Sequence, residues 1–120
     1  MGAPAYSTVI DWEPLRDISY VSMALTYVGV GAPMAYPIRL MKVYNQTDQT
    51  LFLSNDGLSD KDFIPANSQF IYDIGSNTST QGGWLVMNAG ARLYVRYPGT
   101  PPTLGGLLVA VIYGTDTAKS

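Results

Sequence analysis

Short runs of apolar residues alternate with turn-forming residues along the middle of the chain, from Arg39 to Ile74. The runs are rich in Val, Ile, Phe and Tyr, which favour β-strands. Asn, Asp, Gly and Pro lie between the runs and supply the backbone conformations of tight turns. The pattern predicts a small antiparallel β unit around which the rest of the chain is organised.

Further strands are predicted on both sides of this unit. Residues 107–113 read LLVAVIY and are apolar on both faces, which indicates a central strand or one buried against another layer. Residues 17–30 alternate loosely, and their Tyr, Val, Thr and Ile favour a strand over the helix that Met-Ala-Leu would allow. The predicted strands cover residues 17–30, 38–45, 50–54, 58–64, 69–74, 84–87, 91–97 and 107–113.

Turn signals recur about every eight to twelve residues, a spacing typical of antiparallel sandwiches and barrels. About seven or eight short strands therefore predict an all-β fold, an antiparallel β-sandwich of jelly-roll-like form. We expect an extended N-terminal arm at residues 1–16, the β-sandwich domain at 17–114 and a polar C-terminal tail at 115–120.

The arm contains aromatic residues, in which a disordered tail would normally be poor. It either folds back over its own domain or docks on a neighbouring subunit with Trp12 as an anchor. The polar loop 75–83 and the Pro-rich loop 98–106 are expected to carry further contacts. The residues predicted to lie at interfaces are Tyr6, Ile10, Trp12, Asn77, Trp84, Tyr97, Pro101 and Pro102.

The absence of two residue types limits the reactions that this 120-residue chain could catalyse. It contains no Cys and no His, so a disulfide, a thiol nucleophile and a Ser-His-Asp or Cys-His arrangement are impossible. Eight of the nine acidic residues are Asp, scattered through turns and terminal segments. We therefore predict that the protein is not an enzyme and has no catalytic residues, no cofactor and no metal.

Charge is sparse along the chain. Charged residues make up 13% of it, against about 25% in typical soluble domains. A surface with so few charges fits a neutral β domain. It also fits a subunit whose faces are covered by neighbours, because interface cores are poor in charge and rich in Tyr and Trp. The seven basic residues are spread singly, so nucleic acid is not an expected partner. No apolar run reaches about 18 residues, so no membrane span is expected.

Two alternatives concern particular side chains. Asp56, Asp60 and Asp62 could offer oxygen ligands to Ca²⁺, but the segment lacks the glycine position and the bidentate Glu of an EF-hand loop. A solvated hairpin is the favoured interpretation of this acidic segment, because Asp56-Gly57 supplies the positive φ of a tight hairpin-type turn. Carbohydrate-binding modules carry aromatic rings on a β-sandwich, and such a sugar- or receptor-binding module is the alternative function. Its candidate rings are Tyr36, Tyr72, Trp84, Tyr94 and Tyr97.

Two segments resemble small virion structural proteins of tailed bacteriophages. They are IRLMKVYNQTDQTLFLSNDGLSDKDFIPANSQFIYDI and GARLYVRYPGTPPTLGGLLVAVIYG. The shared pattern is a basic-apolar strand, Asn-x-Thr-Asp, a strand ending in x-Asp-Gly, then Phe-x-Pro-Ala-Asn and a last strand ending in Tyr-Gly. The resemblance covers about residues 38–114, and Asp60-Lys61-Asp62 departs from it where the usual pattern has Asp-His.

The resemblance implies a head decoration or head–tail junction subunit without catalytic residues. Its expected partners are further copies of itself and other virion proteins, such as major capsid, portal or neck proteins. Its expected location is the virion, after assembly in the host cytoplasm. A chain without Cys suits such a reducing compartment.

Overall fold

Two antiparallel β-sheets pack against each other in the computed structural model, which describes residues 6–36, 38–73 and 90–118. The strands of the five-stranded sheet are β1 (Tyr6–Trp12), β2 (Arg16–Ser19), β4 (Ile38–Asn45), β7 (Ser68–Asp73) and β9 (Gly106–Ala118). Those of the four-stranded sheet are β3 (Val28–Gly29), β5 (Leu51–Ser54), β6 (Asp62–Ile64) and β8 (Tyr94–Arg96). The orders are β1-β9-β4-β7, with β2 also on β9, and β3-β8-β5-β6.

These strands confirm the predicted all-β fold with two packed antiparallel sheets. Helical structure in the described ranges amounts to one 3-10 turn, Tyr20–Ser22. Consequently no helix in that part of the chain is long and apolar enough to cross a membrane.

The core lies between the sheets and is built from alternate residues of each strand. On β9, Leu107, Val109 and Val111 are fully buried, and Val43 of β4 lies beside Val109 in the register. Each such side chain contributes about 1.5–3 kcal/mol relative to an exposed position. The remaining core includes Ile18, Met23, Val30, Met34, Ile38, Met41, Leu51, Leu53, Ile64, Leu93 and Val95.

Strand β9 is central, as its sequence predicts. It pairs with β4 along one edge and with β1 and β2 along the other. Its continuation to Ala118 takes in residues 115–118 of the expected polar tail, which pair with the start of β1. Residues 6–12 of the expected arm likewise form a sheet strand. The pairing partner, rather than local polarity, determines the conformation of both segments.

Residues 17–30 differ from the single predicted strand. Strand β2 follows β9 only until Ser19 meets Gly106, the first residue of β9. The chain then turns, and Val28–Gly29 pairs with β8 in the other sheet. The loose alternation over this segment therefore reflects two short strands in different sheets, joined by the 3-10 turn.

The predicted turn after β4 is confirmed, and its hydrogen bonds are internal. The buried Asn45 donates from Nδ2 to the carbonyls of Gln49, Ile64 and Pro65, at 2.9, 3.1 and 3.0 Å. Its Oδ1 accepts from the amide and the hydroxyl of Thr47, at 2.9 and 2.7 Å. One side chain thus ties the end of β4 to the end of β6 in the opposite sheet.

The molecule is longer than a compact chain of its size. Its radius of gyration is 16.5 Å and its principal extents are 58 × 26 × 22 Å, whereas about 14 Å is expected for a compact domain of this length. The pairing of β4 with β9 begins at Ile38, opposite Tyr113, while β1 follows β9 on to Ala118. The paired segments 6–10 and 114–118 therefore extend past β4, and together they are called the ribbon below.

Candidate functional site

The outer face of the five-stranded sheet carries an apolar patch. The register aligns Trp12 with Ile112 and Ile112 with Leu40, across three neighbouring strands. In a second row, Ile71 lies opposite Lys42. The side chains of Trp12 and Ile71 are 59% and 61% exposed. This face therefore offers large apolar groups to a partner, as interface cores do.

Residues 13–15 interrupt the sheet edge directly after Trp12. The Glu13 amide still donates to the Val111 carbonyl at 3.1 Å. Pro14 has no N–H to offer and cannot continue a ladder. Leu15 is exposed beside it. The interruption separates β1 from β2 and adds a second exposed apolar side chain at this edge.

A buried ion pair fixes the loop next to this interruption. Arg16 Nη2 lies 2.6 Å from Glu13 Oε1, and both side chains are almost fully buried. Arg16 also donates to two carbonyls of the loop 31–36, at 2.9 and 3.2 Å. Glu13 accepts from the amides of Ala35 and Tyr36, at 3.1 and 3.0 Å. Burial alone would raise the pKa of Glu13, but these hydrogen bonds outweigh it and hold the pKa below its usual value.

The loop 31–36, held by the Glu13–Arg16 pair, places the Tyr36 ring against the Tyr113 ring. Their rings stack with centroids 4.0 Å apart and planes 10° apart. Stacked rings contribute about 0.5–1.5 kcal/mol beyond the area they bury. Burial, with the Asp11 carboxylate nearby, raises the pKa of Tyr113. The stack lies where β4 begins, at the base of the ribbon, and Tyr36 remains partly exposed.

The outer face of the four-stranded sheet carries a cluster of aromatic rings around one arginine. The Arg96 guanidinium lies 5.0 Å from the Phe52 ring centroid and 5.6 Å from that of Tyr27. Asp60 accepts two hydrogen bonds from Arg96, at 3.0 and 2.9 Å, and one from the Tyr27 hydroxyl at 2.5 Å. Phe63 pairs with Phe52 across the strands and is 55% exposed. The charge of Arg96 is therefore matched, and the face is largely aromatic.

This arrangement changes the acidity of two side chains. Burial and the hydrogen bond to Asp60 raise the pKa of Tyr27 to about 12. The hydrogen bonds from Arg96 and Tyr27 hold the pKa of Asp60 below its usual value. Both groups therefore keep one protonation state around neutral pH, and the cluster joins the segment after β2 to the turn before β6.

Asp56 organises the predicted hairpin turn rather than a ligand site. Its carboxylate accepts from the Ser54 hydroxyl at 2.6 Å and from the amides of Leu58 and Ser59 at 2.8 and 2.9 Å. These hydrogen bonds, that of Ser54 first, hold the pKa of Asp56 far below its usual value. Gly57 has a φ of 73°, the positive φ that the Asp-Gly pair predicts.

The other two carboxylates of the acidic segment have separate partners. Asp60 binds Arg96, and Asp62 accepts a short hydrogen bond from the Tyr72 hydroxyl. Burial and this carboxylate raise the pKa of Tyr72. Within the described ranges no three acidic side chains converge in a way that could hold a metal ion. Asp56, Asp60 and Asp62 thus do not form one site.

Asp48 anchors the Pro-rich loop 98–106, a role that the sequence did not reveal. Its carboxylate accepts from the Thr103 amide at 2.9 Å and from the Thr103 hydroxyl at 2.5 Å. These bonds hold the pKa of Asp48 below its usual value. Gly105 follows with a φ of 79°. The predicted turn after β4 and the Pro-rich loop therefore support each other.

The predicted interface residues in the described ranges lie in different environments. Trp12 is exposed on the sheet face, and Pro101 is exposed in its loop. Pro102 is buried inside the protein. Tyr97 is partly buried and packs against the core, and its amide donates to the Ala24 carbonyl at 3.1 Å. Trp12 and Pro101 are therefore the two that are exposed.

The remaining predicted interface residues have side chains outside the described part of the chain. Asn77, Trp84 and the loop 75–83 lie outside the described residues. Tyr6 and Ile10 belong to β1, but their side chains also lie outside the described part.

Sequence reasoning missed the exposed apolar residues inside strands. Ile71 points outward from β7, while Phe70 and Tyr72 pack against the core. The signal was present, because a strand with apolar residues at three consecutive positions must direct at least one of them away from the core. In β6 the adjacent Phe63 and Ile64 must likewise point to opposite faces, and Ile64 is the buried one.

The rings considered for sugar stacking do not share a surface. Tyr36 stacks on Tyr113 near the start of β4, and Tyr94 lies on the four-stranded sheet with Arg92 5.7 Å from its ring. Tyr72 and Tyr97 pack against the core. Trp84 lies outside the described residues. The four described rings are therefore not one platform.

A cleft of about 290 Å³ opens between the sheets. This volume is at the lower limit of the roughly 300–1,000 Å³ of small-molecule sites. Its lining residues are Met41, Ser54, Asn55, Lys61, Asp62, Tyr72 and Leu93. Asp62 and Tyr72 already bond to each other, and Ser54 bonds to Asp56, so much of the polar lining is engaged within the protein.

Comparison with known proteins returns neither a matching family model nor a curated protein of significant similarity. The resemblance to phage virion proteins therefore stays a prediction.

Proposed function

We propose that this chain is a non-enzymatic structural subunit of a tailed-phage virion. It assembles by self-association and by docking on the capsid or the head–tail junction, and it resides in the virion. The observation that carries the proposal is the amount of large apolar surface left uncovered by the fold. The side chains concerned are Trp12, Leu15, Val21, Leu25, Tyr36, Leu58, Phe63, Ile71 and Leu104.

The placement of these side chains matters more than their number. Singly exposed apolar residues are normal on any protein. Here Trp12 and Ile71 lie on the outer face of one sheet, and Phe63 with Phe52 on that of the other. Contiguous exposed apolar surface marks interaction sites. Two faces of this kind suit a subunit with neighbours on more than one side.

Two of the cations near these faces are already neutralised within the chain. Arg96 is paired with Asp60, and Arg16 with Glu13, inside the same chain. A partner that covers these regions does not need to supply counter-charges for them, which lowers the desolvation cost of association. Repeated by symmetry, modest contacts of this kind give a stable assembly.

The proposal is tested by purifying particles of the phage that encodes this chain through a density gradient. We expect the chain to remain with the particles at a fixed ratio to the major capsid protein, measured by quantitative mass spectrometry. Cryo-electron microscopy of the same particles then shows whether it occupies the capsid surface or the head–tail junction. Infected cells that contain the chain, with purified particles that lack it, would contradict the proposal.

A further inference from the structure

The outer edge of β1 offers seven residues of backbone for pairing. Among the residues that the structure describes, no strand occupies this edge, since β1 is the last strand on its side of the sheet. Natural edge strands are commonly protected by Lys, Pro, bulges or short length. Strand β1 reads YSTVIDW and has none of these, with Asp11 as its single charge. It is therefore a template for another strand.

The rest of the same edge is protected. Pro14 interrupts the edge, and β2 beyond it has only four residues, of which Arg16 and Asp17 are charged. Pro14 also removes one donor from the edge. An added strand can thus extend along β1 but not along β2, and the pairing surface ends at Trp12.

The register shows which backbone groups of β1 are available. The Glu13 amide donates to the Val111 carbonyl, so these two residues form a hydrogen-bonded pair. In an antiparallel ladder, hydrogen-bonded and non-hydrogen-bonded pairs alternate. Every second residue back from Glu13 therefore bonds β9, and those between direct their N–H and C=O groups outward. The outward residues are Tyr6, Thr8, Ile10 and Trp12, and of these the Trp12 amide already donates to the Asp11 side chain at 2.8 Å.

The ribbon gives a reason for an additional strand. Segments 6–10 and 114–118 pair with each other beyond the first residue of β4, and in the described part of the chain no third strand joins them. A two-stranded ribbon is at best marginally stable in water, whereas three or more strands support each other. A strand added to the outer edge of β1 would supply this support.

We propose that the partner is a second copy of this chain, whose β1 pairs antiparallel with this β1 about a two-fold axis. The inference rests on the proposed function, because it names one contact of the proposed self-association. Identical strands can pair antiparallel about such an axis, so the interface is self-complementary. The two five-stranded sheets then become one continuous sheet across both copies.

One register satisfies this arrangement best. This register is centred on Val9, so the two β1 strands overlap along their whole length. The outward N–H and C=O groups of one copy then lie opposite those of the other. It also places Asp11 opposite Ser7 of the second copy, so like charges do not face each other. A register centred on Asp11 would oppose the two carboxylates and shorten the overlap.

A proline substitution tests the pairing. Thr8→Pro removes an outward N–H that β9 does not use, so the fold should persist while the pairing is lost. Thr8→Val keeps the N–H and is the matched control. Light scattering should give twice the chain mass of 13.0 kDa for the wild type and for Thr8→Val, and 13.0 kDa for Thr8→Pro. A monomeric wild type, or a Thr8→Pro variant with the same mass as the wild type, would overturn the inference.

Hydrogen exchange of the wild type tests the pairing of β1 with the β1 of a second copy even if Thr8→Pro does not fold. The amides of Thr8 and Ile10 should gain protection as the protein concentration rises. Those of Val9 and Asp11, already bonded to β9, should not change. Equal protection of the outward amides at every concentration would overturn the β1 contact. The proposed virion role is judged separately, by the presence of the chain in purified particles.

Discussion

The side chain of Asn45 connects the two sheets with hydrogen bonds from both ends of its amide. We predict that Asn45→Ala destabilises the protein by about 3 kcal/mol or more, because several buried backbone groups lose their partner at once. Urea denaturation measures the change. The exposed Asn55 is the control, and Asn55→Ala should stay within about 0.5 kcal/mol of the wild type. Equal stabilities of the two variants would show that the Asn45 bonds are replaceable.

The Glu13–Arg16 pair is predicted to be sensitive to the loss of one charge. Glu13→Gln leaves the Arg16 guanidinium buried without a counter-charge, which typically costs about 3–5 kcal/mol. Thermal and urea unfolding at neutral pH measure the loss. Asp17→Asn, at the neighbouring exposed position, serves as the control and should have little effect. A stable Glu13→Gln variant would mean that hydrogen bonding, not charge, holds the loop 31–36.

The same carboxylate predicts a pH dependence of stability. The pKa of Glu13 is lowered in the folded state from a usual value of 4.5, so the unfolded chain binds the proton more readily. The stabilisation is complete above pH 4.5 and is lost as the pH falls through the lowered pKa. Asp48, Asp56 and Asp60 have lowered pKa values and act in the same direction. Urea unfolding at a series of acidic pH values should show a smaller loss of stability for Glu13→Gln than for the wild type.

Among the elements, two of the three glycines in the Pro-rich loop 98–106 have opposite roles. Gly105 has a φ of 79°, and a Cβ there would lie 1.9 Å from the Gln46 carbonyl oxygen. Gly105→Ala should therefore destabilise the protein by several kcal/mol, roughly the sum of backbone strain and a clash that neither backbone can relieve. A Cβ at Gly99 meets nothing within 4 Å, so Gly99→Ala should be neutral or slightly stabilising. Thermal midpoints of both variants test this contrast.

The elements also show where sequence patterns succeed and where they stop. Apolar residues on both faces identified β9 as central, and the Asp-Gly pair identified the turn at Gly57. Local pattern could not divide residues 17–30 between two sheets, because that division depends on where β9 begins. Nor could it find the Asp48–Thr103 contact, which joins segments 55 residues apart. Contacts between distant segments are set by the three-dimensional packing of the sheets.

At the scale of the whole molecule, the two sheets have uncovered apolar positions on their outer faces, and the ribbon extends the molecule to 58 Å. The edge of β1 and the outer faces can contact different neighbouring proteins. The edge of β1 can pair through its backbone, which is largely indifferent to side-chain identity. The outer faces can associate only through side chains such as Trp12, Ile71 and Phe63. Particle assembly through the faces should therefore be separable by mutation from pairing through β1.

A pair of substitutions on β7 provides the separation. Ile71 and Gln69 are both exposed on the outer face of this strand. Ile71→Asn should leave the thermal midpoint nearly unchanged but reduce incorporation into particles, because an apolar group worth about 1.5–3 kcal/mol on burial is lost. A loss of about 1.4 kcal/mol corresponds to tenfold in affinity. Gln69→Asn removes no apolar contact and should be incorporated like the wild type. Quantitative mass spectrometry of particles assembled with each variant measures the ratio, and equal incorporation would exclude this face from the assembly contacts.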